Sequence, residues 1–133
     1  MDYDLSGEGT SVLISDSWHL VRVVDVEITT SKNGNEMYVI TTEEPTSGSV
    51  DKTYAITTKG KAWVFRSFVA ACGFVKDENG IYKDVTPEAC IGMSVEAQNK
   101  PEPNEFTRRD GEVVKEMRNK FVLFRKATEK ATL

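Results

Sequence analysis

Two β-branched runs on either side of Asn33-Gly34 constrain the fold more than any other feature of the sequence. Residues 29–43 read TTSKNGNEMYVITTE, so two segments suited to β-strands are joined by a short polar segment. Asparagine followed by glycine supplies the positive φ angles that a tight primed turn needs. The stretch therefore predicts an antiparallel hairpin, with its turn at residues 31–36 and its return strand at residues 37–42.

The run before this hairpin is WHLVRVVDVEITT, and its apolar alternation changes phase partway. Val21 and Val23 lie on one face of an ideal strand. Val24, Val26 and Ile28 lie on the other face. A bulge near the middle of the run would reconcile the two halves, because it rotates the following side chains to the opposite face of the sheet. The run therefore predicts a long first strand that bends sharply, as the first strand of a small barrel does.

One segment has the periodicity of a long helix, at residues 61–72, and it follows a third strand predicted at residues 52–58. Gly73 comes directly after it and is a natural carboxyl-terminal cap. Thr57 or Thr58 is the expected amino-terminal cap. The apolar stripe of this helix consists of Ala62, Phe65, Phe68, Val69 and Cys72.

The second half of the chain predicts a helical turn, a fourth strand and a fifth strand. The turn is expected at residues 86–92, where Thr, Pro and Glu follow one another, and the fourth strand at residues 93–98. A long polar loop at residues 99–112 then leads to the last strand at residues 113–124. Three strands, a helix and two strands is the order of the OB-fold. The predicted fold class is therefore mainly β, a five-stranded OB-fold barrel with one helix between strands 3 and 4.

The length and composition indicate a single soluble domain. A chain of 133 residues with 39% hydrophobic and 29% charged residues can bury one modest core. The domain is expected at residues 11–126, between a flexible amino-terminal tail at residues 1–10 and a carboxyl-terminal tail at residues 127–133. Because the sequence has no secretory signal and no apolar run that spans a bilayer, a cytoplasmic protein without a membrane partner is expected.

Catalysis and cofactor binding find little support in the sequence. Cys72 and Cys90 are far apart, without CxxC spacing or a histidine pair, so buried free thiols are expected rather than a disulfide or a zinc site. His19 is the only histidine. The sequence has neither a nucleophile elbow nor a glycine-rich phosphate loop. We therefore expect no enzymatic activity, no metal and no cofactor.

Four motifs occur in order along the chain: WHLVRVVDVE, SKNGNEM, TTKGKAWVFRSFVAACG and CIGMSVEA. Their order and spacing resemble a family of small bacteriophage and prophage proteins. In that family x-V-x-V-x-D-V-x leads to S-K-x-G-x-x-M, and K-A-x-x-x-x-x-F-x-x-A-x-G and I-G-x-x-V follow. The resemblance covers residues 18–124. It implies an OB-fold single-stranded DNA-binding protein from replication and recombination gene clusters, which acts in the cytoplasm of the host bacterium.

Binding of a single strand needs cations for the phosphates and flat side chains on which bases stack. The net charge of −4 is unusual for such a protein, although basic residues dominate from residue 108 onward. The expected contacts come from lysine in the first hairpin, from tyrosines on the second and third strands, and from the loop between strands 4 and 5. The candidate site residues are Lys32, Tyr38, Lys52, Tyr54, Lys59, Phe106, Arg108, Arg109, Lys115 and Arg118.

Other interpretations of these residues stay open at the level of sequence. Tyr38 and Tyr54 are equally consistent with packing against the core. Trp18 and Trp63 are better explained by packing than by stacking. The alternative function is a phage-encoded protein-interaction module with an OB-like barrel, for which a negative charge is no disadvantage. Phage or host replication and recombination proteins are further candidate partners, and the oligomeric state is open.

Overall fold

Five antiparallel strands form one sheet and two more form a separate ribbon in this computed structural model, which describes residues 11–132. The predicted tail at residues 1–10 and residue 133 lie outside the described residues. In chain order the elements are β1 (Ser17–Thr30), β2 (Glu36–Glu43), β3 (Val50–Ile56), α1 (Trp63–Ala71), α2 (Pro87–Cys90), β4 (Ser94–Asn99), β5 (Glu102–Thr107), β6 (Val113–Arg118) and β7 (Phe121–Lys126). The prediction of a mainly β fold is confirmed.

The long strand β1 joins the two halves of the sheet. Its first half pairs with β4 and its second half with β2, in the strand order β3-β2-β1-β4-β7. The β1–β2 register shifts between Val23 and Asp25, and Val21, Val23 and Val26 are all buried. The predicted bulge is therefore confirmed, and it lets one strand direct apolar side chains to the same core from both of its halves.

The hairpin between β1 and β2 is confirmed, but its turn differs from the predicted one. The Gly34 N–H donates to the Ser31 carbonyl at 2.9 Å, and Gly34 has a φ of 82°. Among residues 11–132 the only non-glycine residue with positive φ is Asp84, so Asn33 does not adopt the left-handed conformation. A turn followed by one left-handed glycine is the longer type of hairpin loop, whereas a primed turn needs two such residues.

Helix α1 covers the core at one end of the sheet. The Phe68 ring meets the Phe124 ring of β7 edge-on, with centroids 5.2 Å apart. The Gly73 N–H donates to the Ala70 carbonyl at 3.0 Å, and Gly73 has a φ of 97°. The predicted glycine cap is therefore confirmed. Neither helix in the described part of the chain is long and apolar enough to cross a bilayer.

The amino-terminal cap predicted for α1 is wrong. The helix begins after Ala62, and no side chain caps it. Thr57 and Thr58 instead bond across to the β1–β2 hairpin, because their hydroxyls lie 3.1 Å from Glu36 Oε1 and 3.4 Å from Asn35 Oδ1. Local sequence rules name the residues that can cap a helix, but they do not reveal a competing partner about twenty residues away.

Residues 99–126 form a ribbon and a final strand instead of the predicted loop and single strand. β5 occupies the predicted loop and pairs with β6, and the two form a sheet of their own. β7 then pairs with β4. Pro101 and Pro103 are residues typical of a loop. Pro103 is tolerated in β5 because a two-stranded ribbon has open edges, where a missing N–H breaks no ladder.

The two edge strands of the main sheet, β3 and β7, lie on either side of an opening, so within residues 11–132 the sheet does not close into a barrel. Asn119 bridges the opening at one end. Its Nδ2 atom donates to Asp51 Oδ1 at 3.1 Å and to the Val12 carbonyl at 2.7 Å, and its Oδ1 atom accepts from the Ile14 N–H at 3.0 Å. Residues 11–14 therefore form a strap that ties the two edges together.

Part of the predicted carboxyl-terminal tail packs on the sheet. Ala131 is buried, and its N–H donates to the Ser94 hydroxyl of β4 at 2.8 Å. Residues after β7 therefore contact the sheet, as does the strap that precedes β1.

The polar network behind the strap should stabilise the fold strongly. Asn99 is fully buried, donates to the Ile14 carbonyl at 3.0 Å and accepts from the Lys120 N–H at 2.9 Å. Asn99→Ala leaves part-buried backbone groups of Ile14 and Lys120 without partners and a cavity at a fully buried position, so we expect the free energy of unfolding to fall by about 2–4 kcal/mol. Urea denaturation measures this. The control Asn79→Ala, in an exposed turn, should change it by less than about 0.5 kcal/mol, and equal effects of both changes would contradict the stabilising role of the network.

Candidate nucleic-acid interface

A groove of about 400 Å³ lies between the edge strands β3 and β7. One wall is formed by Lys52, Thr53 and Tyr54 of β3, and the first turn of α1 adds Trp63 and Val64. The other wall consists of Glu102 and residues 118–122. We call this set of residues the β3–β7 groove. It is present because the sheet stays open between these two strands.

Two aromatic rings in the β3–β7 groove are exposed. Tyr54 is 61% exposed, because its side chain points away from the core while its neighbours Thr53 and Ala55 are buried. Trp63 is 64% exposed, because it is the first residue of α1 and lies off the buried helical stripe. Two flat side chains with accessible faces therefore share one concave surface.

The cations of the β3–β7 groove surround a single carboxylate. Arg118 Nη2 lies 2.6 Å from Glu102 Oε1, and Lys120 Nζ lies 3.0 Å from Glu102 Oε2. Hydrogen bonds from Arg118 and Lys120 hold the pKa of Glu102 below its usual range, so this carboxylate is charged at neutral pH. Lys52 is exposed on the opposite wall. The three cations outnumber Glu102, which leaves the groove locally positive on a negative protein.

The β5–β6 ribbon extends from this groove and has two distinct faces. Alternate residues of a strand share a face, and so do cross-strand partners. Glu102 pairs with Arg118 and Phe106 pairs with Val114. Phe106, 41% exposed, therefore shares the face of the two groove residues. This groove-side face consists of Glu102, Asn104, Phe106, Val114, Glu116 and Arg118, and the outer face consists of Pro103, Glu105, Thr107, Val113, Lys115 and Met117.

Tyr38 is a core residue, so its predicted role in stacking is wrong. The side chain is 4% exposed, and its ring meets the Phe65 ring with centroids 4.7 Å apart. It pairs with Ala55 on the inner face of the sheet. Burial raises the pKa of its hydroxyl. A base cannot reach this ring, because the sheet covers one side of it and α1 the other.

Lys115 lies on the outer face of the ribbon, away from the groove-side face on which Arg118 lies. Its cross-strand partner is Glu105, an acidic residue that counters its charge. The sequence therefore placed Lys115 and Arg118 correctly on one strand, but only Arg118 lines the β3–β7 groove.

Arg108 and Arg109 lie in the turn at the far end of the ribbon, about 20 Å along the strands from Arg118 at ordinary strand rise. Arg108 Nη1 is 3.9 Å from Glu112 Oε2, in an exposed pair. Neither arginine lines the β3–β7 groove. Both arginines therefore lie beyond the strands of the ribbon and do not form part of the groove.

Lys32 and Lys59 lie in two loops that are joined by a hydrogen bond. Lys32 is in the β1–β2 turn, and Lys59 is in the loop between β3 and α1, which bonds to that turn through Thr58 and Asn35. Both lysines are exposed and outside the β3–β7 groove. These two lysines could contact only a bound nucleic-acid strand that extends past Tyr54 toward the β1–β2 hairpin.

Sequence reasoning missed Trp63 and Lys120. A signal for Trp63 was present, because it lies off the stripe that buries Phe68 and Val69, and a large ring off that stripe has no core to enter. No comparable signal marked Lys120. Its place in the groove depends on the break between β6 and β7, which the sequence pattern does not show.

Metal and thiol chemistry are not features of this groove. Among residues 11–132 no group of three His, Cys, Asp or Glu side chains is arranged to hold a metal ion. Cys72 and Cys90 are buried free thiols, as predicted. The neighbouring Cys90 thiol and burial raise the pKa of Cys72, which keeps its thiol protonated and unreactive at neutral pH.

Two comparisons with known protein sequences find no match for this chain. No protein-family model matches it, and a search of curated protein sequences finds no significant match. The resemblance to small phage single-stranded DNA-binding proteins therefore stays a prediction from the order of four motifs.

Proposed function

We propose that this protein binds single-stranded DNA without sequence specificity, in phage-type replication or recombination, and that the β3–β7 groove is its principal contact surface. The observation that carries the proposal is the presence of exposed Tyr54 and Trp63 in one groove with Lys52, Arg118 and Lys120. Any base can stack on an aromatic ring, and any phosphate can pair with a cation. This combination therefore suits the binding of single-stranded DNA without recognition of its sequence.

The proposal includes the fold. We interpret the strand order β3-β2-β1-β4-β7 as an OB-fold barrel opened between its third and fifth strands, with the β5–β6 ribbon inserted in the loop between the fourth and fifth. OB-folds bind oligonucleotides beside the second and third strands and the loop between the fourth and fifth. The β3–β7 groove lies next to β3 and to the base of the inserted ribbon, which agrees with that location.

Acidic residues limit the surface that a strand can use. Asp25 and Glu27 of β1 lie in the same cross-strand rows as Lys52 and Tyr54, two strands away. That separation is about 10 Å, close to one Debye length at physiological salt. Repulsion therefore disfavours a path across β2 toward β1. The favoured path follows the β3–β7 groove, and its continuation along the groove-side face of the ribbon to Phe106 passes one acidic residue, Glu116.

A protein-interaction module remains the second candidate, and one observation favours it. The outer face of the ribbon exposes Met117 at 48% and Val113 at 52%, beside the oppositely charged Glu105 and Lys115. Exposed apolar side chains with a polar surround are characteristic of protein-binding surfaces. This face does not contribute to the β3–β7 groove, so the two candidate functions predict effects from different substitutions.

Salt dependence tests the proposed function directly. We expect 30-mer oligo-dT to bind with a slope of log affinity against log salt of about −1.4, because the three groove cations less the charge of Glu102 leave a net of two, and each releases about 0.7 counterion from a single strand. Raising sodium chloride from 50 to 200 mM should then weaken binding roughly sevenfold. Fluorescence anisotropy measures both quantities. A 30-base-pair duplex is the control and should bind more weakly, because its base faces are covered.

Two outcomes would contradict the proposed function. Failure of oligo-dT to bind at 50 mM salt would remove it and favour the interaction module. Binding that is insensitive to salt would exclude the cations of the β3–β7 groove as the contact surface.

A further inference from the structure

One carboxylate engages both cations on the β7 side of the groove. Glu102 Oε1 accepts from Arg118 at two nitrogen atoms, Nη2 at 2.6 Å and Nε at 3.0 Å, while Oε2 accepts from Lys120 Nζ at 3.0 Å. Each oxygen of the carboxylate therefore has its own cation. A guanidinium fork beside an ammonium group suits a phosphate as well as it suits a carboxylate.

This cluster keeps a net positive charge and remains open to solvent. Two cations face one anion, and the side chains of Arg118 and Lys120 are 57% and 55% exposed. Two other carboxylates lie near the cluster: Asp51 is bonded to Ser11, Ser49 and Asn119, and Glu116 is exposed on the groove-side face of the ribbon. A second anion can therefore approach the cluster from the β3 side, where Lys52 and Tyr54 line the groove, without passing Glu116.

We propose that Arg118 and Lys120 form a phosphate subsite, which Glu102 occupies in the free protein and vacates when a phosphodiester of the bound strand arrives. This inference rests on the proposed binding of single-stranded DNA. A phosphodiester has two non-bridging oxygens and can replace both oxygens of the carboxylate. The exchange costs little, because exposed ion pairs contribute little to stability.

Competition by Glu102 makes the subsite selective for polymers over free anions. A single phosphate ion must displace a carboxylate that is tethered beside the same cations. A strand already stacked on Tyr54 and Trp63 presents its phosphate at a high effective concentration, so it competes successfully. The subsite would then exclude small anions of the cytoplasm while it accepts the backbone of a single strand.

Glu102→Gln tests this role, with Glu105→Gln as the matched control. Both changes remove one negative charge from β5, but Glu105 lies on the outer face of the ribbon. For Glu102→Gln we expect the salt slope to steepen by about 0.7, which corresponds to about fivefold tighter oligo-dT binding at 100 mM salt. Glu105→Gln should change affinity less than about twofold, since its charge is more distant and screened. Thermal unfolding of both variants checks that they are folded.

Lys120→Gln provides a second measurement. Its effect on affinity should be larger in the Glu102→Gln background than in the wild-type protein, because Lys120 then no longer shares its charge with the carboxylate.

The possible failures are distinguishable. If wild-type protein binds oligo-dT but Glu102→Gln binds no tighter than Glu105→Gln, the exchange is disproved and the proposed function stands. Weaker binding by Glu102→Gln would show that the carboxylate positions the cations rather than competing for them. If wild-type protein does not bind, both proposals fail.

Discussion

Replacing Tyr54 and Trp63 together by alanine should lower the affinity for oligo-dT by at least about 30-fold, since each stacked base contributes about 1–3 kcal/mol. Both rings line the β3–β7 groove and are more than half exposed. Fluorescence anisotropy at constant salt gives the affinity. The salt slope should stay the same, because the substitutions remove stacking and leave every cation in place.

Because both rings are exposed, substitutions of Tyr54 and Trp63 should change the affinity for DNA without changing the stability of the fold. A side chain that is mostly in water loses little buried area when it is truncated, so we expect the free energy of unfolding to change by less than about 1 kcal/mol. Tyr54→Phe should retain affinity, because stacking uses the ring and not the hydroxyl. Urea denaturation and anisotropy on the same samples test both statements.

Trp18→Ala is the matched control for loss of a tryptophan. Trp18 lies on β1, where the Arg125 guanidinium sits 4.1 Å from its ring centroid, away from the β3–β7 groove. Its removal should leave the affinity unchanged. An equal loss of affinity from Trp18→Ala and Trp63→Ala would show that the bound DNA contacts a broader surface than the β3–β7 groove. No loss from either would contradict stacking in the groove.

The parts of the fold that follow local rules could be predicted from the sequence. The hairpin at Asn33-Gly34, the glycine cap of α1 and the helical turn that follows Thr86 each depend on residues that are close together in the chain. The β1 bulge was also predictable, because a strand that buries Val21, Val23 and Val26 must change phase between them. In each case the residues that predict the feature are also the residues that form it.

The break between β6 and β7 depends on distant partners and could not be predicted in this way. Residues 113–124 have the β-rich composition of one continuous strand. Asn119 interrupts them because its amide bonds to Asp51 and to the Val12 carbonyl, 68 and 107 residues earlier. This break separates the ribbon from β7 and brings Lys120 into the groove. The candidate site therefore follows from long-range hydrogen bonds that leave no periodic pattern.

The two strand tyrosines illustrate the same limit. Tyr38 and Tyr54 occupy similar β-branched segments, and neither run alone indicates which face is buried. Strand register decides, because Tyr38 pairs with buried Ala55 while Tyr54 pairs with Val39 on the opposite face. A shift of one residue in the β2–β3 register would place both tyrosines on the same face of the sheet and so change the role of one of them.

Tyr38→Ala should therefore destabilise the protein far more than Tyr54→Ala does. Truncating a buried aromatic ring removes its apolar contacts and leaves a cavity beside Phe65, so we expect the free energy of unfolding to fall by about 3–5 kcal/mol. Tyr38→Phe keeps the ring and should cost less than about 1.5 kcal/mol. Urea denaturation of the three variants measures the difference. Under conditions where Tyr38→Phe is fully folded, its affinity for oligo-dT should equal that of the wild-type protein, because this side chain reaches no base. Similar stability of Tyr38→Ala and Tyr54→Ala would show that the β2–β3 register, and with it the wall of the groove, is assigned incorrectly.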